Sequence, residues 1–236
     1  MIDFTGVKAL TIPEGKVSKV IRKSDGVVLW QKITSRIPAE YQEVEWISKN
    51  RENNNAYFDL GFAFDTKATV LMNYHKWETS YYIFGAAENS GKLRCMINEA
   101  DKPSTSRYAY GSNGSTYLTC SFATQIGDND IKVVWEKGNL TAENFTLNSK
   151  TTNKAQIEYT MTNNLYLFAQ NYNGTVRSQT SIRLRLFSYY DKNDVLICDL
   201  VPCYRKSDGE IGMYDTVRKM FLTNAGTGSF IKGTDV

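Results

Sequence analysis

The sequence predicts an all-β sandwich or barrel. Short runs of alternating apolar and polar residues recur along the chain, with turn residues between them. No long stretch repeats its apolar residues every 3.6 positions, so no helix of ordinary length is expected. Aromatic residues make up 13% of the chain, with 15 Tyr and 11 Phe, types that suit pleated, half-buried surfaces.

The elements follow in order. Val17-Ser18-Lys19-Val20-Ile21-Arg22 alternates, Ser24-Asp25-Gly26 turns, and Val27-Val28-Leu29-Trp30 returns, which is a hairpin signature. This segment is too small to bury a core of its own. A boundary therefore falls near 32–38, with residues 1–36 an attachment or oligomerisation segment and 37–236 the main domain. Val28 and Trp30 are its docking candidates, onto the main domain, a sister chain or a larger assembly. Pro38–Trp46 has room for one helical turn. Strands are expected at 56–62, 68–75, 81–86, 92–98, 108–110, 116–123, 130–136, 144–147, 164–169, 183–190 and 195–200. Loops at 88–91, 111–115, 127–129 and 171–174, rich in Gly, Asn and Ser, separate them. Strict alternation over the 183–190 run puts Ile182, Leu184, Leu186 and Ser188 on one face. Arg183, Arg185, Phe187 and Tyr189 then form the other row, polar but aromatic, which suits a ligand-facing or neighbour-covered sheet. A second Asp-Gly hairpin joins Val201-Pro202-Cys203-Tyr204 to Ile211-Gly212-Met213-Tyr214 through Lys206-Ser207-Asp208-Gly209.

Composition excludes several function classes. Lys+Arg 28 against Asp+Glu 25 leaves +3 over 236 residues, too small a surplus to predict nucleic-acid or anionic-membrane binding. The start, Met1-Ile2-Asp3-Phe4-Thr5, does not read as a signal peptide, and no apolar run is long enough to span a membrane. The sequons at Asn113, Asn139, Asn144 and Asn173 therefore read as Asn-rich loops. Cys95, Cys120, Cys198 and Cys203 form no Cys-x-x-Cys pair, and His75 has no second histidine, so neither a metal site nor a disulfide scaffold is expected. The cysteines read as buried thiols; a Cys198–Cys203 contact across a bend stays open.

No catalytic constellation stands out. Glycoside hydrolysis needs two carboxylates on one strand face or at facing loops. Glu99-Ala100-Asp101 and Asp128-Asn129-Asp130 come nearest, but both sit among turn residues, where Asp serves the turn. A calcium ion on Asp128, Asn129 and Asp130 is a weaker reading than a solvated turn. His75 reads as a structural or surface residue, and no phosphate loop or dinucleotide fingerprint occurs. No enzyme activity and no cofactor are expected. What remains is binding. Aromatic rings stack on sugar faces while amides and Arg bond the hydroxyls. Three clusters combine those types: Trp77, Tyr81 and Tyr82; Arg107, Tyr108, Tyr110 and Asn113; and Asn171, Tyr172 and Asn173. Against them stands the plainer account that Tyr tiles sheet faces and Asn-Gly makes turns. Trp30, Trp46 and Trp135 lie in apolar contexts and read as core or docking residues.

Two stretches carry a recognisable pattern. One is Ile37-Pro38-Ala39-Glu40-Tyr41-Gln42-Glu43-Val44-Glu45-Trp46-Ile47 with Tyr57-Phe58-Asp59-Leu60-Gly61-Phe62. The other runs from Val201-Pro202-Cys203-Tyr204 through Gly212-Met213-Tyr214-Asp215 and Phe221 to Gly226-Thr227-Gly228-Ser229-Phe230. Together they resemble the concanavalin A-like, laminin-G-like jelly-roll domains of tailed-phage and prophage virion proteins. Val7–Gly15 and Gly26–Trp30 look like the short leader that precedes such domains. Residues 63–195 follow the pattern only in outline, and Lys49–Asn55 departs from the family's usual turn. The resemblance implies a jelly roll whose terminal strands pair, preceded by a β-hairpin attachment segment. It also implies a virion protein, assembled in the bacterial host cytoplasm, that contacts host surface polysaccharide as a tail-fibre or head-fibre adhesin. Its partners would be other virion proteins, met through the N-terminal segment, and a homotrimer is expected. The alternatives are a purely structural capsid or tail decoration and, less favoured, a glycan depolymerase. No ligand residue carries over from the family, whose binding loops vary.

Overall fold

The computed structural model describes residues 19–21, 28–31, 36–49, 55–76, 82–89, 92–98, 104–112, 116–136, 139–154, 159–177 and 182–236. The Ser24-Asp25-Gly26 turn, Trp77, Tyr81 and Asn113 lie outside these residues. The chain divides into two compact units, Met1–Arg36 and Ile37–Val236. In the first, β1 (Lys19–Ile21) pairs antiparallel with β2 (Val28–Gln31), setting Val20 opposite Trp30.

The second unit holds β3 (Tyr41–Glu43), β4 (Ile47–Lys49), β5 (Phe58–Ala63), β6 (Ala68–Lys76), β7 (Tyr82–Ala87), β8 (Leu93–Asn98), β9 (Thr105–Ser112), β10 (Thr116–Ala123), β11 (Gly127–Glu136), β12 (Asn139–Asn144) and β13 (Ser149–Asn153). It continues with β14 (Asn164–Leu167), β15 (Gln170–Tyr172), β16 (Thr175–Arg177), β17 (Ile182–Tyr190), β18 (Leu196–Arg205), β19 (Ile211–Asp215), β20 (Met220–Leu222) and β21 (Phe230–Lys232). No helix occurs among the described residues. One sheet has the order β10-β9-β8-β7-β14-β5, with β15 beside β7 and β16 beside β15. The other has the order β13-β12-β11-β6-β17-β18-β19-β20, with β3 on β18, β4 on β17 and β21 on β4.

The sheets pack face to face because alternate residues on each are large and apolar. From the eight-stranded sheet come Phe58 and Phe84; from the eleven-stranded sheet come Trp135 and Phe187. The Trp135 ring lies 6.0 Å from Phe84, and Phe84 lies 5.6 Å from Phe187, both edge to face. Phe230 stacks on Phe58 at 4.3 Å. At one end Lys76, fully buried, crosses to the opposite sheet and donates to the Thr105 carbonyl and the Thr124 hydroxyl, each at 3.2 Å.

The terminal strands pair as expected: β21 runs antiparallel to β4, with Phe230 opposite Lys49. The expected β18–β19 hairpin forms, with Pro202 opposite Met213. Its turn is closed by Arg205 N–H donating to Glu210 O at 2.9 Å, with Gly209 at φ 73°. Gly212 is required by close approach, since a Cβ there would overlap the Leu222 carbonyl and the Phe221 ring. The described residues of 37–236 thus form an all-β sandwich of two sheets packed face to face.

Four expectations change. Residues 38–46 hold a turn and β3 rather than a helical turn. Tyr41 is drawn into strand pairing with β18, where its ring packs 5.1 Å from Tyr214 and 4.9 Å from Phe221. Asp128-Asn129-Asp130 lies in β11 and not in a turn. Asn129 points inward, fully buried, and donates to Gln125 O and Gly127 O at 2.9 and 3.0 Å. Strand β12 ends at Asn144, and Phe145 to Asn148 form the turn. In β17 the pairing register shifts between Leu184 and Leu186, a bulge at Arg185. Ile182, Leu184, Phe187 and Tyr189 therefore face the core, and Arg183, Leu186, Ser188 and Tyr190 face out. Strict alternation would have stranded two large aromatic rings outside; the extra residue keeps them buried.

Cys198 and Cys203 are free and do not meet. An odd spacing on β18 sends them to opposite faces, Cys198 into the main core and Cys203 into a small cluster with Ile37, Val201 and Tyr214.

Candidate functional site

The outward face of the eleven-stranded sheet is built by the polar half of the β6, β11 and β17 alternation. Across β11, β6 and β17, the register sets four rows: Asp128–His75–Arg183, Asp130–Asn73–Leu186, Lys132–Leu71–Ser188 and Val134–Thr69–Tyr190. Successive rows are about 7 Å apart and neighbouring strands about 5 Å.

An open depression of about 340 Å³ lies over the last two rows, lined by Thr69, Leu71, Lys132, Tyr190 and Asp194. That volume suits one small ligand or one unit of a chain. Thr69 and Leu71, neighbours on one face of β6, form its floor. Lys132 and Tyr190 come from the strands on either side, one row apart, so their Cα atoms stand roughly 12 Å apart across β6. Asp194, from the turn after β17, has φ 60° and is held by Lys67 at 2.6 Å. The turn itself is shaped by Asp191, whose carboxylate accepts the Asn193 and Val195 amides, each at 2.9 Å; these bonds hold its carboxyl below the usual range. Lys132, Tyr190 and Thr69 have no side-chain hydrogen bond or ion pair among the described residues.

The other end of the same face is locked. Asp128 Oδ1 receives Arg185 Nη1 at 2.7 Å and lies 2.7 Å from His75 Nδ1, tying three strands together. Arg185 first, and His75 second, hold the Asp128 carboxyl below the usual range, whereas partial burial pushes Asp130 up. These two carboxylates share one strand face, two residues apart. Between the strands, the buried Asn73 carbonyl oxygen has no hydrogen-bond partner among the described residues. Arg183 stacks over Trp46, 4.5 Å from its ring centre. No group of three or more His, Cys, Asp and Glu side chains among the described residues is placed to hold a metal ion.

The described members of the three aromatic clusters expected to bind lie on or beside the eight-stranded sheet. Arg107, Tyr108 and Tyr110 lie in β9, whose far end, Gly111, aligns with Leu93, then Ala87, then Tyr172. The register sets Tyr110 level with Arg94, Ala86 and Asn171, and Arg107 level with Ile97 and Tyr82, so the second cluster runs along β9 from Tyr82's end of the sheet to the third cluster's. Asn171 is buried; it donates to Asn164 O at 2.9 Å and accepts from Gly174 N at 2.8 Å, so its amide shapes the turn. Asn173, at φ 49°, accepts from Asn163 at 3.1 Å. The Arg177 guanidinium covers the Tyr172 ring at 3.4 Å. The residues lining the depression escaped the reading of the sequence. Only the suggestion that one face of the 183–190 run meets a ligand pointed there, and the bulge exchanges which row that is.

No family model matches the sequence, and no curated protein matches it. Among solved structures the chain is similar to the mouse laminin alpha1 chain, domains LG4-5, at 7% identity and TM-score 0.49, over 73% of this chain and 46% of that one. It is also similar to the native heptameric SAP-like pentraxin from Limulus polyphemus, at 11% identity and TM-score 0.47, over 81% of this chain and 95% of that one. The chain therefore spans about half the length of the laminin chain it matches.

Proposed function

We propose that this chain is a carbohydrate-binding adhesion module of a phage or prophage virion. The observation that carries the binding reading is the depression on the outward sheet face. It offers an apolar floor at Leu71, an aromatic wall at Tyr190 and hydrogen-bonding groups on Lys132, Thr69 and Asp194. Those are the groups that hold a sugar by one apolar face and its hydroxyls. The virion reading is supported by the motifs at 37–47, 57–62 and 201–230, which resemble phage jelly-roll domains. In this reading the 1–36 unit joins the module to other virion proteins through Val28 and Trp30, three copies assemble, and the module performs no catalysis.

The test is binding of the labelled full-length protein to candidate host cells, before and after stripping of surface polysaccharide. Binding that vanishes on stripping and in Tyr190→Ala is the expected result. A folded protein that fails to bind a confirmed host would instead be a structural decoration. The depolymerase reading has one observation in its favour: Asp128 and Asp130 share a face at about 7 Å, with environments that shift their carboxyls in opposite directions. They stand outside the depression, and Asp128 is engaged by Arg185. Incubation with the stripped polysaccharide is expected to release no reducing ends; their release, lost in Asp130→Asn, would establish an enzyme.

A further inference from the structure

We infer that the depression beside Lys132 receives an anionic substituent of a surface polysaccharide, a carboxylate or a phosphodiester oxygen, with Lys132 as its counter-charge. The inference rests on the carbohydrate reading above and specifies the chemistry of the ligand.

Asp194, the acidic group lining the depression, is neutralised by Lys67 at 2.6 Å. Glu143 lies opposite Lys132 on β12 but pairs with Lys150 at 3.8 Å. Lys192, in the turn beside Asp194, pairs with Asp65 at 3.5 Å. Asp130 lies two residues along β11 in the Asn73 row, and forms no ion pair with Lys132. Asp199, opposite Ser188, accepts from the Ser188 and Thr216 hydroxyls at 2.7 and 2.8 Å. Lys132 is thus half-buried, lines the depression, and has no acceptor among the described residues. The Tyr190 and Thr69 hydroxyls beside it also have none. Three donor-bearing side chains lining one open volume suit an acceptor-rich ligand, and a charged donor rewards a charged acceptor most. Leu71 and the Tyr190 ring supply the apolar contact that a free inorganic anion would not use.

The experiment measures retention of the full-length protein in affinity gels. The gels contain polygalacturonate, the same polymer after carboxyl reduction, or a glycerol-phosphate polymer, each at low and at raised salt. Lys132→Gln and Lys132→Arg are run beside the parent protein, with circular dichroism confirming that each is folded. Retention by at least one anionic polymer is expected, with little or none by the reduced polymer. Lys132→Gln should weaken it roughly 10- to 100-fold and Lys132→Arg should largely preserve it. The polymer that retains the protein identifies carboxylate or phosphodiester as the source. Equal retention by the native and reduced polymers, unchanged in Lys132→Gln, would overturn the anionic specificity while leaving carbohydrate binding intact. No retention by either anionic polymer would also overturn it, and the cell-stripping experiment then decides separately whether carbohydrate binding stands.

Discussion

Lys49 shows what a single buried charge does to this fold. It is 3% exposed in β4, and burial pulls its ammonium from 10.5 down to about 7. The unfolded chain therefore binds more protons than the folded one between about pH 7 and 10.5, so this residue's contribution makes stability rise with pH through that window. Below about pH 7 the penalty is fully present. Lys49→Met is expected to be more stable at neutral pH, by on the order of a few kcal/mol, with the difference from the parent shrinking toward pH 10. Urea unfolding across that range measures it, and a constant difference would refute the assignment. The thiols behave differently: burial pushes Cys203 up to about 12 and raises Cys120 and Cys198 as well. In the folded protein none of the three is expected to react with a thiol reagent at pH 8, leaving at most one reactive cysteine, Cys95. A count of two or more by mass spectrometry would contradict the burial of these three thiols.

Strand β17 shows how one inserted residue controls a surface. Arg185 does two separable things there. Its guanidinium bonds Asp128, an exposed pair worth about 1 kcal/mol or less, and its backbone supplies the bulge. Arg185→Ala should therefore cost little in urea unfolding. Deletion of Arg185 should cost more than about 3 kcal/mol, because restored alternation drives Phe187 and Tyr189 outward or forces the strand to slip. Equal costs would show that the bulge does not set the register. Hairpin elements were readable from their residues: Asp208-Gly209 between two alternating runs could only turn. The bulge was not readable, because Arg185 is as ordinary on a regular strand as in a bulge. The depression was hidden for the same reason, since Tyr190 faces outward only once the register has shifted. Likewise Asn171-Tyr172-Asn173-Gly174 looks the same in sequence whether its amides await a ligand or tie the turn together; here they tie the turn.

For the molecule, closure matters most. Strand β4 finds β21 across almost the whole length of the second unit, and Phe230 stacks on Phe58 behind them. Residues 37–236 contain both partners and the shared core. A chain trimmed to them should unfold cooperatively, with a midpoint close to that of the full protein. If three-fold assembly depends on the first unit, light scattering should report three times 26.8 kDa for the full chain and a monomer for the trimmed one. A monomeric full chain would remove the trimer.

The amino-acid order settled the class of this protein, because period-two alternation and turn chemistry are local properties that each segment carries in its own residues. It also marked the hairpin around Asp208-Gly209, where a turn signal separates two β-prone runs. It could not settle which strands become neighbours across the sheets, where the bulge falls, or which polar side chains satisfy one another. Those depend on contacts between residues far apart in the chain: Asp128 with Arg185, Lys67 with Asp194, Lys132 beside Leu71 and Tyr190. The candidate site is made of what such pairing leaves over, so it exists only in the folded molecule.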